Sequence, residues 1–234
     1  MRLDRYLANN TELSRKEVKQ LIKSGHVKVD GIIAKNSAQH IKEDALIEAD
    51  DEEILPIGLG YFMLNKPEGV VCANKDPNHS TVFDLIEEPH SDLHVAGRLD
   101  IDTTGLVLIT NDGKWSHRVT SPKYRCVKTY RIEAEEFMTE SMVKKIESGI
   151  FLEPENIRTL PAKIDLLSED SLLLHISEGK YHQVKRMMHA VKNTVETLHR
   201  VSIGDITLDE YLAPGEYRPL TAEEIASVSD VFGI

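Results

Sequence analysis

Two hydrophobic rhythms run along the chain, and the change from one to the other divides it. Val18, Leu21 and Ile22 recur at helical spacing, which predicts a helix beginning after Ser14. Ser14 and Glu17 are spaced for a capping box, Leu13 and Val18 for a hydrophobic staple, and Gly25 for a C-terminal stop. Leu3, Tyr6 and Leu7 predict a shorter helix before it, and residues 26–29 alternate as a strand that runs into an Asp30-Gly31 turn. Residues 49–60, ADDEEILPIGLG, are first acidic and then broken by Pro56, Gly58 and Gly60, the composition of a linker. Beyond it, YFMLN (61–65), LVLIT (106–110), TYRIEAE (129–135), SLLLHIS (171–177) and TVETLHRVSI (194–203) read as strands, and residues 139–148 and 182–192 as helices. Asn111, Asp112 and Gly113 read as a turn. Without a regular βαβ rhythm, the pattern predicts an α+β fold: a mixed, largely antiparallel sheet with flanking helices. The expected division is a small module over 1–48, a linker over 49–60 and a large domain over 61–234.

Charge sharpens that division. The whole chain carries −11, yet residues 1–42 hold nine Lys or Arg against four acids, a net +5 that leaves −16 for the remainder. Such asymmetry suits a module that meets a polyanion. Arg15, Lys16, Lys19 and Lys23 fall mainly away from the apolar stripe of the second helix, giving it a basic face. An ordinary solvated helix face is the plain alternative. The two cysteines, Cys72 and Cys126, form no CxxC pattern and argue against a disulfide framework or a cysteine-rich metal site. No apolar run reaches the roughly 18 residues of a membrane helix, and Asp4 and Arg5 stand where a signal peptide needs apolar residues. The expectation is a cytoplasmic protein.

Chemistry concentrates in residues 97–105, GRLDIDTTG, which run straight into the apolar LVLIT strand. A carboxylate there is carried by a rigid element, as a nucleophile or general acid requires. Taken alone, the segment also fits a loop in which Asp100 pairs with Arg98 and Asp102 caps a turn with Thr104. GRLDIDTTGLVLITN resembles the signature of the Rsu branch of pseudouridine synthases at each defining position. Three further stretches match that family in order: Lys66-Pro67-Glu68-Gly69, Lys128-Thr129-Tyr130, and the run from Glu178 to Met187, EGKYHQVKRM. The opening RLDRYL and the SRKEVKQLIKSGHVKVDG run resemble the αL-type RNA-binding domain of a ribosomal protein and several RNA-modifying enzymes.

The resemblance implies a cofactor-independent isomerisation of uridine in RNA, with Asp100 as the catalytic residue and Asp102 not. It implies that Tyr130 lies against the target base, and that Lys185 supplies the basic partner of Asp100, with Arg186 as the fallback. Arg98, Arg186 and Lys66, together with Arg15, Lys16 and Lys19 of the basic helix, are the expected substrate contacts. The branch member it resembles along the whole chain modifies one uridine of 16S rRNA, so the expected partner is 16S rRNA, within a partly assembled small subunit, met by a monomer. Tyr181 departs from the asparagine common at that position. An ionised Asp100 has three routes open: attack on C1′, attack on C6, or removal of a ribose proton to give a glycal.

Rival readings fare worse. A 23S rRNA target keeps the same chemistry, while a non-catalytic assembly factor has no use for intact Asp100, Tyr130 and Lys185. A glycosidase pair needs carboxyls roughly 5–9.5 Å apart across a bond, and Asp100 and Asp102 on one loop are poorly placed for that. His182 and His189 have no third metal ligand nearby in sequence, and no phosphate-cradling glycine loop points to a nucleotide cofactor. Neither metal nor cofactor is expected.

Overall fold

The structure is a computed structural model and describes residues 1–11, 13–42, 44–88 and 92–230. It divides into two units, Met1–Gly60 with Glu88–Leu93, and Tyr61–Glu87 with His94–Ile234.

In the first unit, helices α1 (Leu3–Asn10) and α2 (Arg15–Lys23) precede strands β1 (Val27–Val29), β2 (Ile32–Ile33), β3 (Ile47–Ala49) and β4 (Glu52–Glu53). Both halves of the α2 capping box form: Glu17 N–H donates to Ser14 Oγ at 3.3 Å, and Ser14 N–H to Glu17 Oε2 at 2.8 Å. Leu3, Leu7, Val18, Ile22, Val27 and Ile47 are buried together. Removing each from water contributes about 1.5–3 kcal/mol. The strands pair in the order β2-β1-β3-β4. Residues 49–60, expected as a linker, do not behave as one throughout. Asp50 and Asp51 take left-handed backbone angles (φ 51° and 66°) and turn the chain from β3 into β4. Ile54 N–H then donates to Ile47 O, Tyr6 Oη to Ile54 O, and Ile57 N–H to Asn10 Oδ1. Ala49, buried in the small core, and Ile54, packed against it, hold this stretch on the module.

The second unit is built on a sheet of β5 (Tyr61–Lys66), β6 (His94–Val95), β7 (Thr104–Thr110), β8 (Lys128–Ala134), β11 (Lys163–Leu166), β12 (Ser171–Ile176), β13 (Val195–Ile203), β14 (Ile206–Thr207) and β15 (Tyr217–Pro219). A separate hairpin pairs β9 (Phe151–Leu152) with β10 (Ile157–Arg158). The main order is β11-β12-β8-β13-β7-β5-β15, with β6 against β7 and β14 against β13. Its pairings are antiparallel except β7 with β13, where Gly105 faces Arg200. Helices α3 (Gly113–Thr120), α4 (Glu140–Glu147), α5 (Gln183–Ala190) and α6 (Ala222–Asp230) flank it. Met187 and Met188 of α5 pack with Ile132, Leu172 and Leu198 of the sheet. Trp115 and Val119 of α3 join Met63, Leu106 and Leu108 in a second core. The Asn111-Asp112-Gly113 turn proves to be a helix start: Asp112 Oδ1 accepts from Lys114 and Trp115 N–H at 2.8 and 3.1 Å.

Candidate active site

Where the parallel pair β7·β13 meets β8, one loop and one helix end face each other. The loop, residues 97–103, leaves β6 and enters β7, and Thr103 N–H donates to Asp100 O at 3.1 Å to close its tip. Gly105 follows at φ 99°, and a Cβ there would stand 2.4 Å from the Arg200 carbonyl, so only glycine lets β7 approach β13 this closely. Arg98, Leu99, Asp100, Thr103, Tyr130, His182 and Lys185 are among the residues lining a cleft of about 110 Å³.

The Asp100 side chain is 35% exposed in that cleft, and His182 Nε2 stands 3.3 Å from its Oδ1. His182 caps the start of α5 in the left-handed conformation (φ 46°) and stacks on the exposed Tyr181 ring at 3.8 Å between centroids. Sequence reading placed neither of these contacts, since two adjacent aromatic side chains ahead of a helix carry no signal of what they face. The expected Lys185–Asp100 pair is absent. Lys185 Nζ binds Asp102 Oδ1 at 2.5 Å instead, and this bond, opposed by burial, holds the Asp102 carboxyl below its ordinary value. One helical turn is short enough for Lys185 to reach the loop, but His182 at the helix N-terminus already faces Asp100.

Tyr130 is half-buried on β8, opposite Arg200 of β13. The two pair just before a β-bulge between Arg200 and Ser202, an irregularity that re-aims side chains beside sites. Arg200, 2% exposed, donates to Leu106 O at 2.7 Å and Gly97 O at 2.9 Å, and reaches Arg98 O and Tyr130 Oη at 3.5 Å. It escaped the sequence reading because a charged residue in an alternating strand looks solvent-facing until β7 lies across it.

Lys66 needs correction. Expected as a substrate contact, it is wholly buried and donates to Pro67, Ile101 and Thr103 carbonyls at 3.0, 3.3 and 2.8 Å. Burial holds its ammonium below the usual lysine range, against the attraction of Asp102 and Asp100. Arg186 is also engaged: it pairs with Glu155 and donates to the Tyr181 and Glu153 carbonyls, bracing the start of α5. Arg98 is exposed on the cleft wall. In the first unit, considered by itself, Arg15 and Lys19 share a concavity with Arg2 and Arg5, while Lys16 is exposed outside it. Among the described residues no group of three or more His, Cys, Asp or Glu could hold a metal, and no helix is long and apolar enough to cross a membrane.

The RNA pseudouridylate synthase family model matches residues 60–190, more than half the chain. This chain belongs to the RNA pseudouridylate synthase family. An S4 domain model matches residues 1–47 ahead of the synthase region. The ribosomal small subunit pseudouridine synthase A of Vibrio cholerae is 51% identical over 229 residues, covering 97% of this chain and 99% of the relative. The protein of that name from Escherichia coli K12 is 48% identical over 230 residues, 97% of this chain and all of the relative. A crystal structure of a pseudouridylate synthase superposes with a TM-score of 0.71 at 45% identity, covering 97% of this chain and 99% of that one. A pseudouridine synthase of mixed α+β fold with an N-terminal S4 domain is therefore established, and the cleft lies within its synthase region.

Proposed function

We propose that this synthase converts one uridine of 16S rRNA to pseudouridine, with Asp100 as the nucleophile. The observation that carries the reading is a carboxylate on a backbone-clamped loop, facing a small cleft that Tyr130 shares. The names of relatives 48–51% identical over almost their full length support the small-subunit target. The isomerisation breaks the N1–C1′ bond, turns the uracil and joins C5 to C1′; a proton leaves C5 and N1 gains one. No electron is transferred and no group is lost, so the chain's own acids and bases suffice.

Asp100 acts as a carboxylate, by attack at C1′ or C6 or by taking a ribose proton. Tyr130 offers a flat face to the flipped uracil, whose extrusion costs about a few kcal/mol of stacking and pairing. Lys185 is the exchangeable cation: when RNA displaces Asp102, it turns to Asp100 or to a phosphate. Arg98 serves the backbone beside the target, and Arg186 keeps the start of α5 in place. Arg15, Lys16 and Lys19 of the S4 domain bind phosphates and position the RNA without reading its sequence. The protein works as a monomer in the cytoplasm, on a partly assembled small subunit.

The test is pseudouridine mapping by carbodiimide modification and primer extension, on 16S and 23S rRNA treated separately with wild type and Asp100→Asn. One new stop in 16S rRNA, absent with Asp100→Asn although the variant still binds RNA, is the expected result. A stop in 23S rRNA alone overturns the substrate, and product from Asp100→Asn overturns the nucleophile.

A further inference from the structure

The loop that carries Asp100 is gripped on both limbs by buried cations that have no carboxylate partner. On the entering limb, Arg200 Nη2 donates to Gly97 O at 2.9 Å, Nη1 reaches Arg98 O at 3.5 Å, and Nε fixes the group to Leu106 O of β7 at 2.7 Å. On the leaving limb, Lys66 Nζ donates to Ile101 O at 3.3 Å and Thr103 O at 2.8 Å. Arg200 is 2% exposed and Lys66 0%. Among the described residues, no ion pair includes either of them, although the half-buried lysines that line the same cleft, Lys180 and Lys185, each have a carboxylate.

Holding carbonyls needs only N–H donors, which a neutral amide supplies. Burying a full charge without a counter-ion is costly, so its retention on both limbs points to a use for the charge itself. Carbonyl dipoles draw the cations to the loop while leaving most of their field uncancelled, and that field favours an anion at the loop tip. Arg200 also reaches Tyr130 Oη at 3.5 Å, with its Cζ 6.0 Å above the ring, so one side chain sets the positions of both the loop and the tyrosine.

We propose that Arg200 and Lys66 are positioning residues of the reaction, a two-sided clamp that fixes Asp100 against Tyr130 and holds it as the anion. This rests on the assignment of Asp100 made above. Other charged groups also face this region. His182 Nε2 and Lys185 come from the start of α5, Lys180 with Glu178 from the segment before it, and Arg98 and Asp102 from the loop itself. All of these remain in the variants below.

The test is single-turnover pseudouridine formation against pH, on the rRNA identified by mapping, for wild type, Arg200→Gln, Lys66→Gln and Arg200→Lys. Both glutamine variants should bind RNA within about threefold of wild type, react at least about tenfold more slowly, and show an acid limb moved up by about one pH unit, the size of an ordinary charge-partner effect. Arg200→Lys should return the acid limb to its wild-type position while remaining severalfold slow, since an ammonium lacks the spread of nitrogens by which the guanidinium reaches Leu106 O from Nε and Gly97 O from Nη2. Slow glutamine variants with an unmoved acid limb would show packing alone and overturn the proposal. Should circular dichroism show that the glutamine variants do not fold, Arg200→Lys decides: a lower kcat at unchanged KM supports the clamp, and a wild-type kcat removes it. Product from Asp100→Asn sinks the underlying assignment and the clamp with it, whereas an inactive Asp100→Asn beside unmoved acid limbs sinks the clamp alone.

Discussion

The sheet wall and the helix wall of the cleft use the same two residue types in opposite ways. On the sheet side, Lys66 and Arg200 are buried and bind backbone carbonyls. On the helix side, Lys185 and Arg186 are 28% and 20% exposed at their side chains and bind carboxylates. A backbone carbonyl held in the interior cannot be exchanged for a phosphate, so the first pair shapes the protein. A surface carboxylate can be exchanged, so Lys185 is available to an incoming polyanion at small cost, whereas Arg186, which also holds the Tyr181 and Glu153 carbonyls, belongs to the framework. Burial and the nature of the acceptor, more than the identity of the cation, separate framework from substrate contact.

Stability measurements test the contrast most severely at Arg200. Arg200→Met strands the Gly97 and Leu106 carbonyls in the interior, and urea denaturation should show a loss of about 3 kcal/mol or more. Lys66→Met removes donors from three carbonyls but leaves a flexible apolar chain in the space; a loss of about 2 kcal/mol is expected by the same method. Lys185→Met should change stability by less than about 1 kcal/mol, as surface pairs do, while lowering the rate of pseudouridine formation about tenfold. A Lys185→Met variant as destabilised as Arg200→Met would erase the distinction between the walls.

The smallest effect concerns acid. Asp102 is held below its ordinary value of 3.8 by the Lys185 hydrogen bond, which outweighs burial. A carboxylate lowered on folding contributes stability that is fully present above the ordinary value and lost as pH falls through the folded one. With the Asp102 side chain 55% exposed, wild type should exceed Asp102→Asn by less than about 1 kcal/mol above about pH 4. That difference should fade below it in denaturation curves taken across the range. A gap that widens with acid would reverse the assignment.

Much of this was legible because it depends on local pattern. The capping box of α2, the strands β5, β7, β8, β12 and β13, and the helices α4 and α5 lie within two residues of their sequence-based expectations. The Asp100 loop was legible because GRLDIDTTGLVLITN resembles the signature of the Rsu branch of pseudouridine synthases; its charged, hydroxyl-rich pattern ahead of an apolar strand also fitted an ordinary salt-bridged loop. What escaped depends on distant packing. Arg200 sits in a strand whose alternation gives no hint that Gly105 will lie against its backbone. Lys66 is expected as a substrate contact from its place in the Lys66-Pro67-Glu68-Gly69 motif, and its burial follows from two carbonyls more than 30 residues later. Helix α3 was hidden because an Asp-Gly pair signals a turn, whereas Asp112 accepts two helix N–H groups and also takes the Tyr61 hydroxyl at 2.8 Å. Residues 49–60 looked like a linker because acids, Pro and Gly outweighed the two apolar positions, Ala49 and Ile54, that meet the small core.

The pairing of Gly105 with Arg200 has a consequence in time as well as in space. The arginine that secures the Gly97 carbonyl lies 103 residues further along the chain, so during synthesis the loop emerges with Lys66 already made but long before Arg200. Until then the limb that enters from β6 lacks the side chain that fixes its carbonyls. Only when β13 arrives and lies parallel to β7 is the cleft complete. The order of synthesis therefore makes β13, and not the loop that carries Asp100, the last part of the cleft wall to be supplied.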